Sequence, residues 1–380
     1  MKKLIKNDGF QTFIASLICI LIGLLVGFIA LLIIEPSGAV EGILTIIKNF
    51  LSYSKSSLQL KNFGSTLVKT APLLMCSLSV LFAYKVGLFN IGAAGQYVMG
   101  AGACLFCAIV LKWNWFPCML AAALAGALWA ALVGLLKAFC NVNEVISGIM
   151  LNWIGLYLVN MILTNYAKDT STPYTRSLKT NASDAVLPSL GLDKLFGNQY
   201  AGLAIVLSVL FAIAVFILLN YMKLGYELRA TGFNKNAAKY AGMAEKRNII
   251  LSLVISGMMA GLGASFLFQT DIQQWEVTAT SVPDMGFNGI AAAFLGGLNP
   301  IGTVFASYFI QHITDGGSHL DLNYYCAQIS QLIAAVIIYL CGFAGFIRYA
   351  INKGLSKAEE KKQQKAQATA APGHEEGGAQ

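Results

Sequence analysis

The chain has 380 residues, of which 57% are hydrophobic and only 12% are charged. Soluble domains carry about 25% charged residues on average, so this composition excludes an ordinary soluble enzyme and indicates a polytopic membrane protein. The formal net charge of +8 does not indicate a nucleic-acid partner, because the basic residues collect in segments between and beyond the apolar runs.

Nine apolar runs are each longer than the roughly 20 residues that a helix needs to cross the hydrocarbon core. They span residues 9–34, 62–84, 86–111, 113–136, 145–167, 195–222, 248–270, 285–314 and 322–347. The run 285–314 is interrupted at Gly296–Pro300, where proline removes a backbone donor and disfavours a continuous helix. Reading that run as two passes predicts an all-α membrane protein with about ten transmembrane helices.

The distribution of charge predicts the topology. Lys and Arg are frequent before the first run, in the loop 223–247 and after the last run, whereas the loops 270–287 and 315–325 contain neither. The positive-inside rule therefore places both termini and the loop 223–247 in the cytoplasm. An even number of spans agrees with this orientation.

The same reading divides the chain into three parts. Residues 1–8 form a cytoplasmic N-terminus, residues 9–350 a transmembrane domain, and residues 351–380 a disordered cytoplasmic tail of Lys, Glu, Gln, Ala and Gly. The segment 166–199 is expected to be an external loop that folds partly. The segment 35–61 is expected to be an external connection that holds an amphipathic helix.

A short motif occurs twice along the chain. Phe-Asn-Ile-Gly-Ala-Ala at 89–94 recurs as Phe-Asn-Gly-Ile-Ala-Ala at 287–292. By the predicted topology the first copy begins on the cytoplasmic side and the second on the external side. Equivalent segments of opposite orientation are typical of two inverted-topology repeats, which usually place the transport path between them.

Ionisable residues are almost absent from the apolar runs, which argues against proton coupling. Glu144 follows Asn143 at the cytoplasmic start of the fifth run, where a helix N-terminus favours a carboxylate, and is the candidate gating residue. Cys104 and Cys107 have the spacing of a metal-binding pair, but no second pair or nearby histidines complete a site. We therefore expect packing thiols, no bound metal and no catalytic residues in this chain.

The polar groups that remain at depth are neutral. Hydrogen bonding between packed helices explains any one of them, but as a set they suit a path for a polar, uncharged solute. Trp153 either packs between helices or stacks on a flat ring of the solute. The candidate path residues are Asn90, Gln96, Asn152, Trp153 and Asn288.

The loop 223–247 is small, polar and compatible with a helix, which suits docking on a soluble partner. The sequence has no GxxxxGK[ST] phosphate loop, so the chain is not expected to bind ATP by that means. We infer that its energy comes from another protein.

Five segments together resemble the permease subunits of bacterial ATP-binding-cassette importers, in the group that handles branched-chain amino acids, simple sugars and nucleosides. They are Gly87–Gln96, Asn143–Ser147, Leu151–Asn152, Gly225–Gly242 and Gly286–Gly297. The resemblance covers roughly residues 10–350. Glu227–Gly232 and the long external segments are most similar to the larger permease subunit of purine-nucleoside importers.

The resemblance implies a transport subunit, not an enzyme, with a ten-helix permease fold in the bacterial plasma membrane. Its expected partners are a cytoplasmic ATPase that binds ATP and Mg, a second, related permease subunit and an extracellular substrate-binding lipoprotein. It also implies that the segment 227–242 sits in a groove of the ATPase. The coupling residues would be Glu227, Arg229, Ala230, Thr231, Gly232, Ala241 and Gly242.

Other functions stay open at this point. Nucleosides, simple sugars such as pentoses and other neutral polar metabolites all fit a neutral path. An ion-coupled secondary carrier would work without an ATPase, and a membrane scaffold or enzyme would not transport at all. Co-purification with a nucleotide-binding subunit separates the importer from these alternatives.

Overall fold

The computed structural model describes residues 8–320 and, beyond them, only scattered residues between Tyr325 and Lys353. The predicted tail 351–380, apart from Lys353, and most of the run 322–347 therefore lie outside the described residues. Within residues 8–320 all regular secondary structure is helical. The helices are α1 (Asp8–Ile34), α2 (Ala39–Lys48), α3 (Ser56–Lys85), α4 (Ala93–Ile109), α5 (Trp115–Cys140), α6 (Glu144–Tyr166), α7 (Leu178–Asn181), α8 (Leu192–Phe196), α9 (Leu203–Tyr221), α10 (Lys223–Phe233), α11 (Lys235–Tyr240), α12 (Glu245–Phe268), α13 (Met285–Leu295) and α14 (Pro300–Gly317).

Six of these helices, α1, α3, α5, α6, α9 and α12, are long and apolar enough to cross a membrane. The helices α4 and α13 are apolar but shorter, with 17 and 11 residues. The described part of the chain thus confirms an all-helical protein with several membrane spans. The total of about ten spans stays a prediction.

The break expected inside the run 285–314 is present. Helix α13 ends at Leu295, and Gly297 and Leu298 then adopt positive φ angles of 66° and 53°. The Asn299 side chain accepts a hydrogen bond from the Ile301 backbone N–H at 3.0 Å, and Pro300 takes the first helical position of α14. An asparagine cap followed by proline is a strong helix start, so the sequence itself separates the two helices.

Helix α12 lies at the centre of the packing, between α3, α4 and α5. It approaches its neighbours through glycines: a Cβ on Gly100 would lie 2.5 Å from Gly261 Cα, and a Cβ on Gly126 would clash with the Gly257 carbonyl. Small residues at such crossings let helix backbones come close, which is the main way helices pack in lipid. This close packing holds in place the helices that carry the polar residues described below.

The two segments expected outside the membrane contain ordered structure. Helix α2 is amphipathic and buries Ile46, whose carbonyl lies against Gly316 of α14. The segment 166–199 contains α7 and α8, and it is joined to the loop after α12 through Asp271. The Asp271 carboxylate accepts from the Leu178 and Lys179 backbone N–H groups at 3.0 and 3.3 Å.

An ion pair between Lys69 and Asp315 joins two helices of the body. The expectation of almost no charge at depth omitted Lys69, which lies within the run 62–84. Its Nζ is 2.9 Å from the Asp315 Oδ1 atom, which joins α3 to α14. The side chain of Asp315 is 11% exposed and also accepts from Gln311 Nε2 at 3.1 Å. Charges inside a membrane protein are costly unless they are paired, as these are.

Candidate coupling surface and polar core

The loop 223–247 folds into two short helices that meet at a corner. Helix α10 ends at Phe233, and Asn234 then caps α11 by accepting from the Ala237 N–H at 3.0 Å. Helix α11 ends near Gly242, which has a φ of 79°. The segment is therefore a preformed helical corner, and not a flexible linker.

The inner face of the corner is attached to the helical body. Thr231 is fully buried, and its hydroxyl accepts from Asn248 Nδ2 of α12 at 2.9 Å. Gly232 lies against the end of α3, since a Cβ there would be 2.5 Å from the Val86 carbonyl carbon. Glu227 pairs with Arg247 at 3.1 Å and with Lys223 at 3.8 Å. Three predicted coupling residues, Glu227, Thr231 and Gly232, therefore hold the corner in place from inside.

The outer face carries exposed aromatic side chains. Phe233 is 97% exposed and Tyr240 94% exposed, and Tyr226 is 61% exposed. Arg229, Ala241 and Gly242 share this exposure, while Ala230 is half-buried. Large aromatic groups that point fully into water are typical of protein-binding surfaces. We call Tyr226, Arg229, Phe233, Tyr240 and Ala241 the coupling surface.

Sequence reasoning missed Phe233 and Tyr240, although they are the two most exposed aromatic residues of this segment. The available signal was the presence of aromatic residues in an otherwise polar loop. Without the helix register, that signal does not separate an exposed aromatic from a buried one.

The contact at Gly232 leads to a turn that enters the membrane domain. Gly87, at the beginning of this turn, has a φ of 74°, and a Cβ there would lie 3.0 Å from the Gly232 carbonyl oxygen. The turn ends at Gly92 and carries Asn90. The end of α10 therefore contacts the turn that holds Asn90.

Asn90 lies at the centre of a buried cluster of neutral polar groups. Its Nδ2 donates to Gln96 Oε1 at 2.8 Å and to Ser256 Oγ at 2.6 Å, and its Oδ1 accepts from Gln96 Nε2 at 3.0 Å. Ser256 in turn donates to the Ser79 carbonyl at 2.7 Å. We call Ser79, Asn90, Gln96 and Ser256 the polar core.

A row of polar residues on α12 links the coupling segment to the polar core. Asn248, Ser252 and Ser256 are spaced four residues apart, lie on one face of the helix and are fully buried. Asn248 contacts Thr231 at one end, and Ser256 contacts Asn90 at the other. Between these ends, Asn248 Oδ1 and Ser252 Oγ have no hydrogen-bond partner in the described part of the chain.

The other predicted path residues occupy different surroundings. Asn152 is buried, where it accepts from the Gly95 N–H at 2.7 Å and donates to the Ile91 carbonyl at 3.1 Å, so it joins α6 to the start of α4. Trp153 points outward and is 42% exposed. Asn288 is half-buried in the first turn of α13.

The two copies of the repeated motif meet in space. Both open short apolar helices, and a Cβ on Gly286, just before the second copy, would lie 2.5 Å from Ala94 Cα at the end of the first. The N-terminal ends of α4 and α13 are therefore neighbours. The inverted repeat itself stays a prediction.

Glu144, the candidate gating residue, is the first residue of α6. Its carboxylate is 2.8 Å from Lys137 Nζ near the end of α5, with both side chains largely shielded. The Asn143 side chain caps the helix by accepting from the Val145 N–H at 2.8 Å. Glu144 thus ties two helices together, and a role in gating stays a prediction.

Comparison with known proteins identifies the family. Residues 62–342 match the family described as the branched-chain amino acid transport system permease component. The guanosine ABC transporter permease NupP of Bacillus subtilis (strain 168) is 32% identical over 295 residues, which cover 76% of this chain and 83% of the relative.

Two other relatives carry similar names. The nucleoside ABC transporter permease NupB of Lactococcus lactis subsp. cremoris (strain MG1363) is 29% identical over 376 residues, 95% of this chain and 100% of the relative. A second guanosine permease of Bacillus subtilis (strain 168), NupQ, is 26% identical over 297 residues, 74% of this chain and 91% of the relative. A search of solved structures finds no match. The family match spans well over half of the chain, and the chain therefore belongs to the branched-chain amino acid transport system permease family.

Proposed function

We propose that this chain is the membrane permease subunit of an ATP-driven importer that moves a nucleoside, most simply a purine nucleoside, into the cell. The observation that carries the proposal is the similarity to the nucleoside permease NupB along 95% of the chain. The chain is a transport subunit and not an enzyme, and it works in the bacterial plasma membrane with both termini in the cytoplasm.

The neutral polar core supports an uncharged solute. Asn90, Gln96 and Ser256 satisfy one another's hydrogen bonds in this structure, so the core is closed. An amide both donates and accepts, as does a ribose hydroxyl or a purine edge. The solute would replace these internal bonds as it passes, with Asn152 and Asn288 on the flanking helices α6 and α13.

The coupling surface is proposed to dock in a groove of a cytoplasmic ATPase, which binds the ATP and Mg. Phe233 and Tyr240 would anchor that contact, because buried aromatic side chains dominate the energy of most protein interfaces. When the ATPase dimer closes, α10 moves and Gly232 pushes on the turn after α3. The turn then rearranges Asn90 and opens the polar core.

The remaining partners follow from the same proposal. A second, related permease subunit completes the membrane part, which agrees with the two guanosine permeases of Bacillus subtilis that both resemble this chain. A substrate-binding lipoprotein delivers the solute from outside.

Uptake into proteoliposomes tests this function. Vesicles with the complete complex, ATP inside and no ion gradient are expected to accumulate labelled guanosine, and excess ribose or glucose should not compete. Competition by the sugars but not by other nucleosides would favour a simple-sugar importer. Uptake driven by a proton or sodium gradient in vesicles without the ATPase would overturn the proposal in favour of a secondary carrier.

A further inference from the structure

A stripe of large side chains points outward along α6. It consists of Met150, Trp153, Tyr157 and Met161, which are 61%, 42%, 59% and 58% exposed. Steps of three and four residues place them on one face of the helix. Trp153 and Tyr157 stack with ring centroids 6.3 Å apart and an angle of 27° between their planes. We call these four residues the α6 stripe.

The stripe lies in the middle of a membrane span. Helix α6 has 23 residues, and Tyr157 follows its first residue, Glu144, by 13 positions. At 1.5 Å per residue, that places Tyr157 about 20 Å along a helix of about 34 Å. The Tyr157 hydroxyl therefore lies near the centre of the hydrocarbon region.

The other exposed Tyr side chains of the six membrane-length helices lie at helix ends. In the described part of the chain, Tyr84 is the penultimate residue of α3, while Tyr166 and Tyr221 are the last residues of α6 and α9. Tyr and Trp at such positions form the usual belts at the membrane surface, where the ring is in lipid and the polar atom in water. The exposed pair in the middle of α6 does not fit this pattern.

Neighbouring helices show what a lipid-facing surface looks like in this protein. Helix α5 exposes four leucines at steps of four residues, and α9 exposes valine, leucine and isoleucine. The leucines are Leu120, Leu124, Leu128 and Leu132. Such faces have no polar atom to satisfy, whereas Tyr157 has a hydroxyl with no hydrogen-bond partner among the described residues. A polar group in hydrocarbon without a partner is costly. The α6 stripe is therefore not suited to lipid.

We propose that the α6 stripe is the surface on which a second, related permease subunit packs, and that the Tyr157 hydroxyl bonds to that subunit. The inference rests on the proposed function, because it takes its partner from the importer complex. Of the three proposed partners, the ATPase is cytoplasmic and the lipoprotein is external, so the second permease is the partner that reaches the depth of Tyr157. Aromatic side chains and methionine are also the residues enriched at protein interfaces.

The proposal changes the role of Trp153. The sequence assigned it to the substrate path, whereas its place in the stripe makes it a contact between subunits. The side chain stacks on Tyr157 and fixes the direction of that ring. Two stiff aromatic rings lose little conformational entropy on binding, which suits an anchor at the centre of an interface.

Site-specific photo-crosslinking in the complete complex tests the interface. A benzophenone amino acid replaces Tyr157 in one sample and Leu124 of α5 in a matched control, since Leu124 is 63% exposed and also lies in the middle of its span. After irradiation, mass spectrometry identifies the chain attached to each adduct. We expect position 157 to attach to a different permease of the same family and position 124 to attach to lipid only.

Other results overturn the proposal. These are an adduct between two copies of this chain, an adduct with a protein that is not a permease, no protein adduct at 157, or equal adducts at 157 and 124. Tyr157→Phe supplies a second measurement, because it keeps the ring but removes the hydroxyl. It should weaken association of the two permeases about threefold.

These failures differ from a failure of the proposed function. Guanosine uptake with internal ATP, combined with no permease adduct at position 157, would remove the interface and leave the importer. Loss of ATP-driven uptake in the unmodified complex would remove the importer itself.

Discussion

Gly232 lies directly against Val86, so the helix that forms the coupling surface contacts the turn that carries Asn90. A side chain at position 232 would begin 2.5 Å from the Val86 carbonyl carbon and 2.8 Å from the Lys85 carbonyl oxygen. Sequence reasoning placed Gly232 on the partner surface, where a small residue leaves room for the ATPase. The structure gives a different reason for the glycine, which is close packing between two parts of the same chain.

This contact predicts separate effects on binding and transport. Gly232→Ala should separate α10 from Val86 without changing the exposed aromatic residues. We expect the ATPase to stay bound and to hydrolyse ATP, while guanosine uptake per ATP falls. The measurement is the ratio of uptake to hydrolysis in proteoliposomes. Loss of ATPase binding in the Gly232→Ala complex would contradict a purely internal role.

The opposite result is expected for the exposed aromatic residues. Phe233→Ala combined with Tyr240→Ala should release the ATPase, since each truncated interface anchor typically costs about 2 kcal/mol or more. Pull-down of the ATPase by the purified permease measures the effect. Tyr221→Ala is the matched control, because Tyr221 is 76% exposed but lies at the end of α9 outside the coupling surface. Normal ATPase binding by the double variant would exclude this surface.

Two serines on one face of α12 give opposite predictions for stability. Among the described residues Ser252 Oγ is buried without a hydrogen-bond partner, so Ser252→Ala should leave the melting temperature unchanged or raise it. Ser256 accepts from Asn90 Nδ2 and donates to the Ser79 carbonyl, so Ser256→Ala takes a partner from one buried donor and one buried acceptor and should cost about 1–3 kcal/mol. Thermal melting of the purified permease in detergent compares the two.

Transport by Ser252→Ala adds a second readout. A buried hydroxyl without a partner calls for an explanation, and one explanation is that Ser252 Oγ forms a hydrogen bond only in the other access state of the permease. A variant that is as stable as the wild type but transports more slowly would support that use. Unchanged uptake would make Ser252 an ordinary buried residue.

Part of this architecture could be predicted from the sequence, and the reasons are local. Pro300 and the preceding glycines predict the break between α13 and α14, which the structure contains. The small polar residues of 223–247 predict a helical segment. Apolar runs likewise predict the long spans, because the hydrophobic pattern acts within one helix.

The missed features depend on contacts between distant parts of the chain. Lys69 and Asp315 are 246 positions apart, so nothing in either segment shows that they form a pair. Gly232 faces the helical body whereas Phe233 faces outward, and this difference depends on how α10 packs against α3. Trp153 follows a buried asparagine and precedes Tyr157 by one turn, but only the folded helix shows that both rings point outward.

We expect His319 to make the stability of the protein depend on pH. Burial lowers the pKa of this histidine below its ordinary value of 6.5, and nearby Lys69 lowers it further, while Asp315 opposes them. The folded protein therefore binds this proton less readily than the unfolded chain. The contribution to stability is complete above about pH 6.5 and falls as the pH drops below that value. The Tyr53 ring, 5.4 Å away, is the aromatic group packed edge-on against it.

Melting at several pH values checks this dependence. The wild type should lose more melting temperature between pH 7.5 and 5.5 than His319→Gln, which cannot take up a proton. Equal losses in the two proteins would assign the pH dependence to other groups.

Variants of Lys69 and Asp315 distinguish a structural ion pair from an ion-coupling site. Lys69→Met leaves the Asp315 carboxylate, which is 11% exposed, without its cation, and Asp315→Asn leaves the more exposed Lys69 ammonium without its anion. Each change should therefore destabilise the permease, and Lys69→Met should do so more. A fully buried pair would lose about 3–5 kcal/mol, but the Lys69 side chain is 41% exposed, which makes the loss smaller. The double variant removes both charges and should recover much of the stability and of ATP-driven guanosine uptake. If the pair instead carried a coupling ion, the double variant would be stable but inactive, and wild-type uptake would respond to an ion gradient.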